Sequence, residues 1–343
     1  MFFEQFIYAL IVFPLLMLMG VFTARKYNIV DKPNIRKIHK NDIVNISGVI
    51  IYSYLLIIVA NTEFSKLIEQ IIIAGFTVVI IGFFDDRKEI KPLTKIFFLL
   101  FPSCYLIFNG FELTNLGEYE YLNILQLGKF SIIFTILAVI LLTNSINYID
   151  GIDGLLIGYA ITVMLYFYFL SDKENQFVQI FLIFVYILLI SLIFNFLPIK
   201  SGYKSFLGDA GSLFIGFFIS FILIFLFKYQ NIHPAFLIWA CWLPVYDFLC
   251  VTLDRVKKKV RFSNPDKSHF HHHISKYFSN NHFKTFLCLN IFNIIIITIG
   301  YYVCLNIGKL YSVLLFILFF LIFIILRVKL NKLIIKKFKN RRK

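Results

Sequence analysis

Long apolar runs fill most of the chain, separated by short polar segments. Eleven runs are long enough to cross a bilayer as helices, at about 2–24, 43–61, 68–84, 95–110, 130–147, 154–171, 177–196, 206–227, 234–252, 284–305 and 309–326. The pattern predicts an all-α polytopic membrane protein of about 11 transmembrane helices. A single integral membrane domain is expected over residues 1–326, followed by a basic tail over 327–343.

Composition makes lipid the solvent for much of this protein. Of its 343 residues 59% are hydrophobic and the mean hydropathy is +0.81, which leaves too little polar surface for a soluble globule. Cys104, Cys241, Cys250, Cys288 and Cys304 all fall within predicted spans without paired spacing. They read as small packing residues, so neither a disulfide framework nor a zinc site is indicated. No small-residue cleavage signal follows the first run, which is expected to be a retained span. The absence of an internal repeat disfavours the transporter folds built from duplicated halves.

A net charge of +15 suggests nucleic acid until its distribution is considered. With the loops numbered in chain order, the even ones hold only Lys66, Lys129, Lys173, Lys228 and Lys309. All other Lys and Arg lie in the odd loops and the tail, so nucleic acid is not an expected partner. The asymmetry puts the odd loops and the C-terminus in the cytoplasm and the N-terminus outside, on the periplasmic face. The tail LNKLIIKKFKNRRK (330–343) is expected on the anionic inner leaflet, with simple topology anchoring as the alternative. Asp172 is the one aspartate on the outer side. Carboxylates gathered among cations on the inner face suggest a metal and polyphosphate site.

Five segments carry that chemistry. FFDDRKEIK (83–91) sets Asp85 beside Asp86, and adjacent carboxylates near a membrane call for a divalent cation or a proton. The plainer reading is a solvated helix end with Arg87 and Lys88 as partners. NSINYIDGIDGL (144–155) puts Asn144 and Asn147 one helical turn apart, then Asp150 and Asp153 in a turn opened by Gly151 and Gly154. Those oxygens suit magnesium or a nucleotide; a polar turn between spans is the alternative. In YKSFLGDAGSLFIGF (203–217) glycines and a serine open a helix whose N–H groups can hold phosphate. Asp209 there would repel a bare phosphate, which argues for a metal–phosphate complex over a simple N-cap. RFSNPDKSHFHHHI (261–274) supplies His269, His271, His272 and His273 among basic residues, which favours anion or sugar binding over zinc. DKPNIRKIHK (31–40) adds Arg36, Lys37 and His39 as anion donors, although the positive-inside rule alone explains it.

In this order, together with a span ending LPVYD, the motifs resemble the polyprenyl-phosphate N-acetylhexosamine-1-phosphate transferases. These are the WecA, TagO and MraY enzymes of glycosyltransferase family 4. The match runs from about residue 31 to 274, and the His-x-His-His form after Pro-Asp-Lys looks like the WecA and TagO branch. Two departures stand out. Glu89 takes the place of a third aspartate, and Val44 and Ser47–Gly48 stand where relatives carry Pro and a Gly-Gly pair.

The resemblance implies transfer of a sugar-1-phosphate, most simply GlcNAc-1-phosphate, from a UDP-sugar to undecaprenyl phosphate, with release of UMP. That is the first membrane step of O-antigen, cell-surface polysaccharide or teichoic acid synthesis, at the inner membrane of a bacterium. Another UDP-amino sugar (GalNAc, QuiNAc, FucNAc or MurNAc-pentapeptide) is the alternative donor, and a polytopic transporter is the non-enzyme alternative. The implied cofactor is Mg²⁺, with Mn²⁺ as a substitute. The implied partners are undecaprenyl phosphate, a UDP-N-acetyl sugar and the bilayer, with homodimerisation left open. By resemblance Asp209 ligates the metal with Asn147 beside it, and Asn144 faces the diphosphate. Asp150 and Asp153 face the nucleotide, with Phe206 stacking on uracil. Arg36, His269, His271 and His272 contact phosphate or sugar. Asp85 and Asp86 position the lipid phosphate, and Asp85 is a candidate base.

Overall fold

A computed structural model of the chain describes residues 2–31, 42–60, 66–259 and 268–340. Its helices are α1 (Phe2–Lys26), α2 (Ser47–Ala60), α3 (Lys66–Arg87), α4 (Pro92–Phe108), α5 (Ser131–Tyr148), α6 (Leu155–Leu170), α7 (Gln176–Phe196), α8 (Gly208–Tyr229), α9 (Pro234–Leu237), α10 (Trp242–Lys258), α11 (Phe270–Tyr277), α12 (His282–Asn306) and α13 (Lys309–Asn340). Without water to satisfy backbone groups, an apolar segment in lipid must bond internally, and the helix is the form that does so.

Among the described residues seven helical segments are long and apolar enough to cross a membrane, fewer than the eleven runs counted from sequence. They are α1, α5, α7, α8, α12, α13 and the continuous segment Pro234–Lys258. The apolar helices α2, α4 and α6 are shorter, with 14, 17 and 16 residues. At 1.5 Å per residue a helix of 14 residues spans about 21 Å, short of a hydrocarbon core of about 30 Å. Extended chain also shifts the bounds of two of the runs. The second and eighth runs begin on strands.

Those strands form a small sheet at one end of the bundle. β1 (Val30–Asp31) pairs antiparallel with β2 (Ile43–Asn45), which pairs in parallel with β5 (Ser205–Phe206). Strands β3 (Asn115–Tyr119) and β4 (Asn123–Gln126) form a separate hairpin. The departures around residue 44 are explained here. Val44 is a buried sheet residue, and the Ser47 and Ser205 hydroxyls bond at 2.7 Å, tying the start of α2 to β5.

α8 is apolar on all sides and is the innermost helix, packed by α2, α3 and α5. α13 is equally apolar yet lies outermost, with Ile317, Leu321 and Ile325 exposed, as suits a lipid-facing helix. Arg327, assigned from sequence to the start of the tail, lies within α13 and is 7% exposed. It donates to Asp254 (2.8 Å) and to the Ser268 carbonyl (2.6 Å), joining α13 to α10 and to the approach to α11.

Candidate active site

The end of α3, the start of α4, the end of α5 and the start of α8 converge on one group of side chains. Asp86 sits opposite the N-terminus of α8. Its Oδ1 accepts the Asp209 N–H (2.9 Å) and the Asn45 Nδ2 (2.8 Å), and its Oδ2 accepts the Ala210 N–H at 3.3 Å. This corrects the expectation that these N–H groups are open to phosphate. A carboxylate from α3 occupies them, as a helix N-terminus favours. Gly208 makes the approach feasible. Its φ is +71°, and a Cβ there would come 2.5 Å from Asp86 Oδ2 and 2.3 Å from Asn45 Oδ1.

Asp86→Ala should therefore loosen the fold as well as the site. It strips the acceptor from two backbone donors at the start of the central helix, a loss of about 1–3 kcal/mol. A thermal midpoint in lipid nanodiscs equal to that of the parent chain would count against the role of Asp86 as cap.

Held by its backbone, Asp209 turns its carboxylate into the group. Asn147 Nδ2 donates to Asp209 Oδ1 (2.7 Å) and lies 2.7 Å from the Ser212 Oγ, and its side-chain carbonyl oxygen takes no hydrogen bond among the described residues. Lys95, one turn into α4, ion-pairs with Asp85 and lies 4.0 Å from Asp209 Oδ2. Pro92 starts α4 immediately after the α3 exit, and Asp85 Oδ1 also accepts the Ile90 N–H (2.7 Å), which fixes the short connection. Asn144 is not drawn into this centre by a bond; its amide donates to Ile140 O (2.8 Å) within α5.

Asp150 belongs with this group. Burial, followed by the charges of Asp209, Asp86 and Asp153, pushes its carboxyl up to about 8. Its backbone N–H bonds the Asn147 backbone carbonyl at 3.2 Å, but its carboxylate takes no hydrogen bond or cation among the described residues, so nothing there offsets that charge. An unpaired carboxylate, the Asp209 carboxylate and the free Asn147 carbonyl make a hard-oxygen donor set that suits a divalent cation such as Mg²⁺.

A consequence can be measured. The Asp150 proton is released near 3.8 in an unfolded chain and near 8 in the folded one, so ionisation between those values destabilises the fold. In cation-free buffer the thermal midpoint should fall as pH rises from about 5 to about 8, and Asp150→Asn should flatten that fall. Mg²⁺ added at the higher pH should restore the parent more than the variant. A parent midpoint rising over this range would contradict the assignment.

Asp153, on the same turn, pairs with two side chains from other segments. Its Oδ2 meets Lys204 Nζ at 2.8 Å and its Oδ1 meets His282 Nδ1 at 3.0 Å. Burial opposes its charge, but the bonds from His282 and Lys204 hold the carboxyl below its ordinary range. Lys204 also lies 5.4 Å from the Phe206 ring centroid, so one face of that ring carries a cation.

On the other side of the 149–154 turn stands a histidine cluster. Asp247 of α10 is 1% exposed; its Oδ1 accepts the Phe270 N–H (2.7 Å), and its Oδ2 lies 3.3 Å from His269 Nδ1 and 3.2 Å from His271 Nδ1. The ligand atoms of these three side chains all lie within 4.8 Å of one another. Tyr148 stacks on His269 at 5.6 Å, while His272 lies 4.3 Å from His271. Burial, then His271 and His269, holds His272 well below the ordinary imidazole value. Burial also lowers His271, against the pull of Asp247.

Thus Asp85, Asp86, Asn147, Asp150 and Asp209 meet in one centre, and His269, His271 and His272 line the far side of the same turn. Arg36 lies outside the described residues. Sequence reasoning missed Asn45, Lys95, Lys204, Asp247 and His282. Asp247 had a usable signal, since it is a lone charge inside an otherwise apolar run and ends the LPVYD segment. Asn45 and His282 had none.

Residues 68–227 match the family model described as glycosyl transferase family 4. Among curated proteins the chain is similar to the undecaprenyl-phosphate alpha-N-acetylglucosaminyl 1-phosphate transferase of Escherichia coli (strain K12). The two are 30% identical over 275 residues, covering 74% of this chain and 71% of the relative. The protein of that name from Yersinia pestis is 30% identical over 266 residues, with the same coverage of 74% and 71%. The "Probable undecaprenyl-phosphate N-acetylglucosaminyl 1-phosphate transferase" of Bacillus subtilis (strain 168) is 27% identical over 261 residues, covering 73% and 71%. Identity at this level over most of both chains, with the described parts of the motif segments drawn together at one end of a helical membrane bundle, leads to one conclusion: this chain belongs to glycosyl transferase family 4.

Proposed function

We propose that this multi-pass membrane protein transfers N-acetylglucosamine-1-phosphate from its UDP-sugar to undecaprenyl phosphate, releasing UMP. The observation that carries the reading is the convergence of Asp85, Asp86, Asn147 and Asp209, with Lys95 against two of the carboxylates, at one end of a lipid-exposed bundle. The names of the relatives supply the substrates. The distribution of Lys and Arg supports a site facing the cytoplasm of a bacterial inner membrane, within the eleven-span topology counted from sequence.

In the reaction an oxygen of the lipid phosphate attacks the sugar-bearing phosphorus of the donor. A new phosphoanhydride forms as the bond to UMP breaks, and the bonding electrons leave with UMP. One phosphoanhydride replaces another, so the main barrier is bringing two anions together. Asp209, Asp150 and the Asn147 carbonyl would hold Mg²⁺, which when bound offsets the diphosphate charge. Lys95 supplies a fixed cation beside them. Asp86 holds Asp209 through its backbone N–H.

Asp85 is better suited to positioning than to proton removal. Its carboxylate already accepts from Lys95 and from the Ile90 N–H. The acceptor needs little help, because a phosphate monoester has a second pKa of about 6 and is largely dianionic at neutral pH.

The test uses membranes containing the full chain, labelled UDP-GlcNAc and undecaprenyl phosphate. A labelled, Mg²⁺-dependent lipid with stoichiometric UMP is the expected result. If no UDP-amino sugar yields a lipid product, the reading fails; a product from a different UDP-amino sugar would change only the donor.

A further inference from the structure

We propose that Asp247 is a positioning residue that holds His271 in its Nδ1–H tautomer, so that His271 Nε2 is presented as a hydrogen-bond acceptor to a hydroxyl or acetamido N–H of the donor sugar. The proposal rests on the sugar-phosphate transfer proposed above and adds to it a residue that makes no contact with substrate.

The geometry begins with an ionisable side chain in an apolar setting. Asp247 lies on α10 between Leu243 and Val251, and burying a carboxylate there is costly unless its oxygens are well used. Both are used. Oδ1 accepts the Phe270 N–H and so caps α11, the helix that carries the histidines. Oδ2 lies 3.2 Å from His271 Nδ1, a hydrogen bond in which an ionised carboxylate can only accept. The imidazole must therefore donate from Nδ1, which leaves a lone pair on Nε2 when the ring is neutral. His269 Nδ1 approaches the same oxygen at 3.3 Å.

The free end of the ring abuts the 149–154 turn. His271 is 1% exposed, and its Nε2 has no hydrogen-bond partner among the described residues. A Cβ added to Gly151 would come 2.8 Å from that nitrogen, so the ring edge abuts the turn that carries Asp150 and Asp153. A buried acceptor without a partner is unfavourable in the resting protein unless a ligand supplies the donor. The sugar moiety of the donor carries such groups, whereas its ionised phosphates have none to give.

Asp247→Asn isolates the effect. An asparagine keeps the shape, and its Oδ1 can still accept the Phe270 N–H, so the cap on α11 survives. Its Nδ2 can only donate toward His271 Nδ1, which forces the proton to Nε2 and turns the acceptor into a donor. The analogous exchange beneath a catalytic histidine in serine proteases leaves the geometry intact and removes most of the activity.

The experiment uses the full chain labelled with [¹⁵N]histidine in lipid nanodiscs, with His271 assigned by the signal lost in His271→Ala. The parent should show a protonated Nδ1 and an unprotonated Nε2 at His271, exchanged in Asp247→Asn. Turnover of Asp247→Asn should fall about 100-fold, the upper range for an outer-shell partner. The double variant should be no slower than His271→Ala alone, because the two residues act as one unit. An unchanged tautomer in Asp247→Asn overturns the proposal, as do losses that multiply in the double variant. So does one equivalent of bound metal that disappears in Asp247→Asn, which would make the cluster a cation site. If the tautomer exchanges but the parent transfers no UDP-sugar, the transferase reading fails while the positioning role stands.

Discussion

Asp209→Asn is expected to lower turnover more than about 100-fold, beyond the range seen when only an outer-shell partner of a metal site is lost. The substitution is nearly isosteric, and the backbone N–H that Asp86 holds at 2.9 Å is untouched. What changes is charge. The oxygen facing Lys95 at 4.0 Å and the oxygen bonded to Asn147 at 2.7 Å lose their shared negative charge, and with it the ligand proposed for a diphosphate-bound cation. Initial rates over a wide Mg²⁺ titration are the measurement. A variant that returns to within tenfold of the parent at saturating Mg²⁺ would show that Asp209 is not the anchor. Thermal midpoints without cation should rise in the variant, since one of several crowded carboxylates has been neutralised.

Lys95→Met should have the second-largest effect, a fall of about 100- to 1,000-fold in turnover, as when one fixed donor to a developing anion is removed. Methionine preserves the length and apolar stem of the side chain and discards the ammonium. Asp85 loses its ion-pair partner, and Asp209 loses the nearest cation among the described residues. Opposite behaviour of the two variants is the informative part. Removing the carboxylate at 209 relieves repulsion, whereas removing the lysine increases it, so cation-free stability should fall in Lys95→Met. If Lys95→Met keeps full turnover while losing stability, the lysine serves folding alone.

How much of this was legible beforehand differs from motif to motif. The acids of DDRKE, the asparagine of NSINYIDGIDGL and the aspartate of FLGDAGS stood out because charge and amide groups at the ends of apolar runs have few structural reasons to be there. Their division of labour was not legible. Asp86 reads like Asp85 in sequence, yet it caps α8, because that depends on how closely α3 passes α8. Asn144 and Asn147 share a helical face, but only Asn147 reaches another helix with its amide. Asp153 is tied to Lys204 and His282, residues 51 and 129 positions away, and no local pattern announces either partner.

The bounds of the apolar runs were read less well for a related reason. Hydropathy responds to composition over a window, and it registers Ile43–Asn45 and Ser205–Phe206 as apolar whether they are helix or strand. Pairing between β2 and β5 is a long-range property that no local window contains.

By itself the sequence determined that the protein lies in a membrane as apolar helices, and it marked the aspartates and asparagines that stand at the ends of those helices. Those are consequences of composition and local order, because solvent transfer and helix formation act residue by residue and turn by turn. The tertiary structure alone decided which carboxylate caps a helix, which remains unpaired, and which histidine edge abuts the 149–154 turn. Each depends on an approach of a few ångströms between segments distant in sequence, where electrostatic and hydrogen-bond energies change steeply with separation.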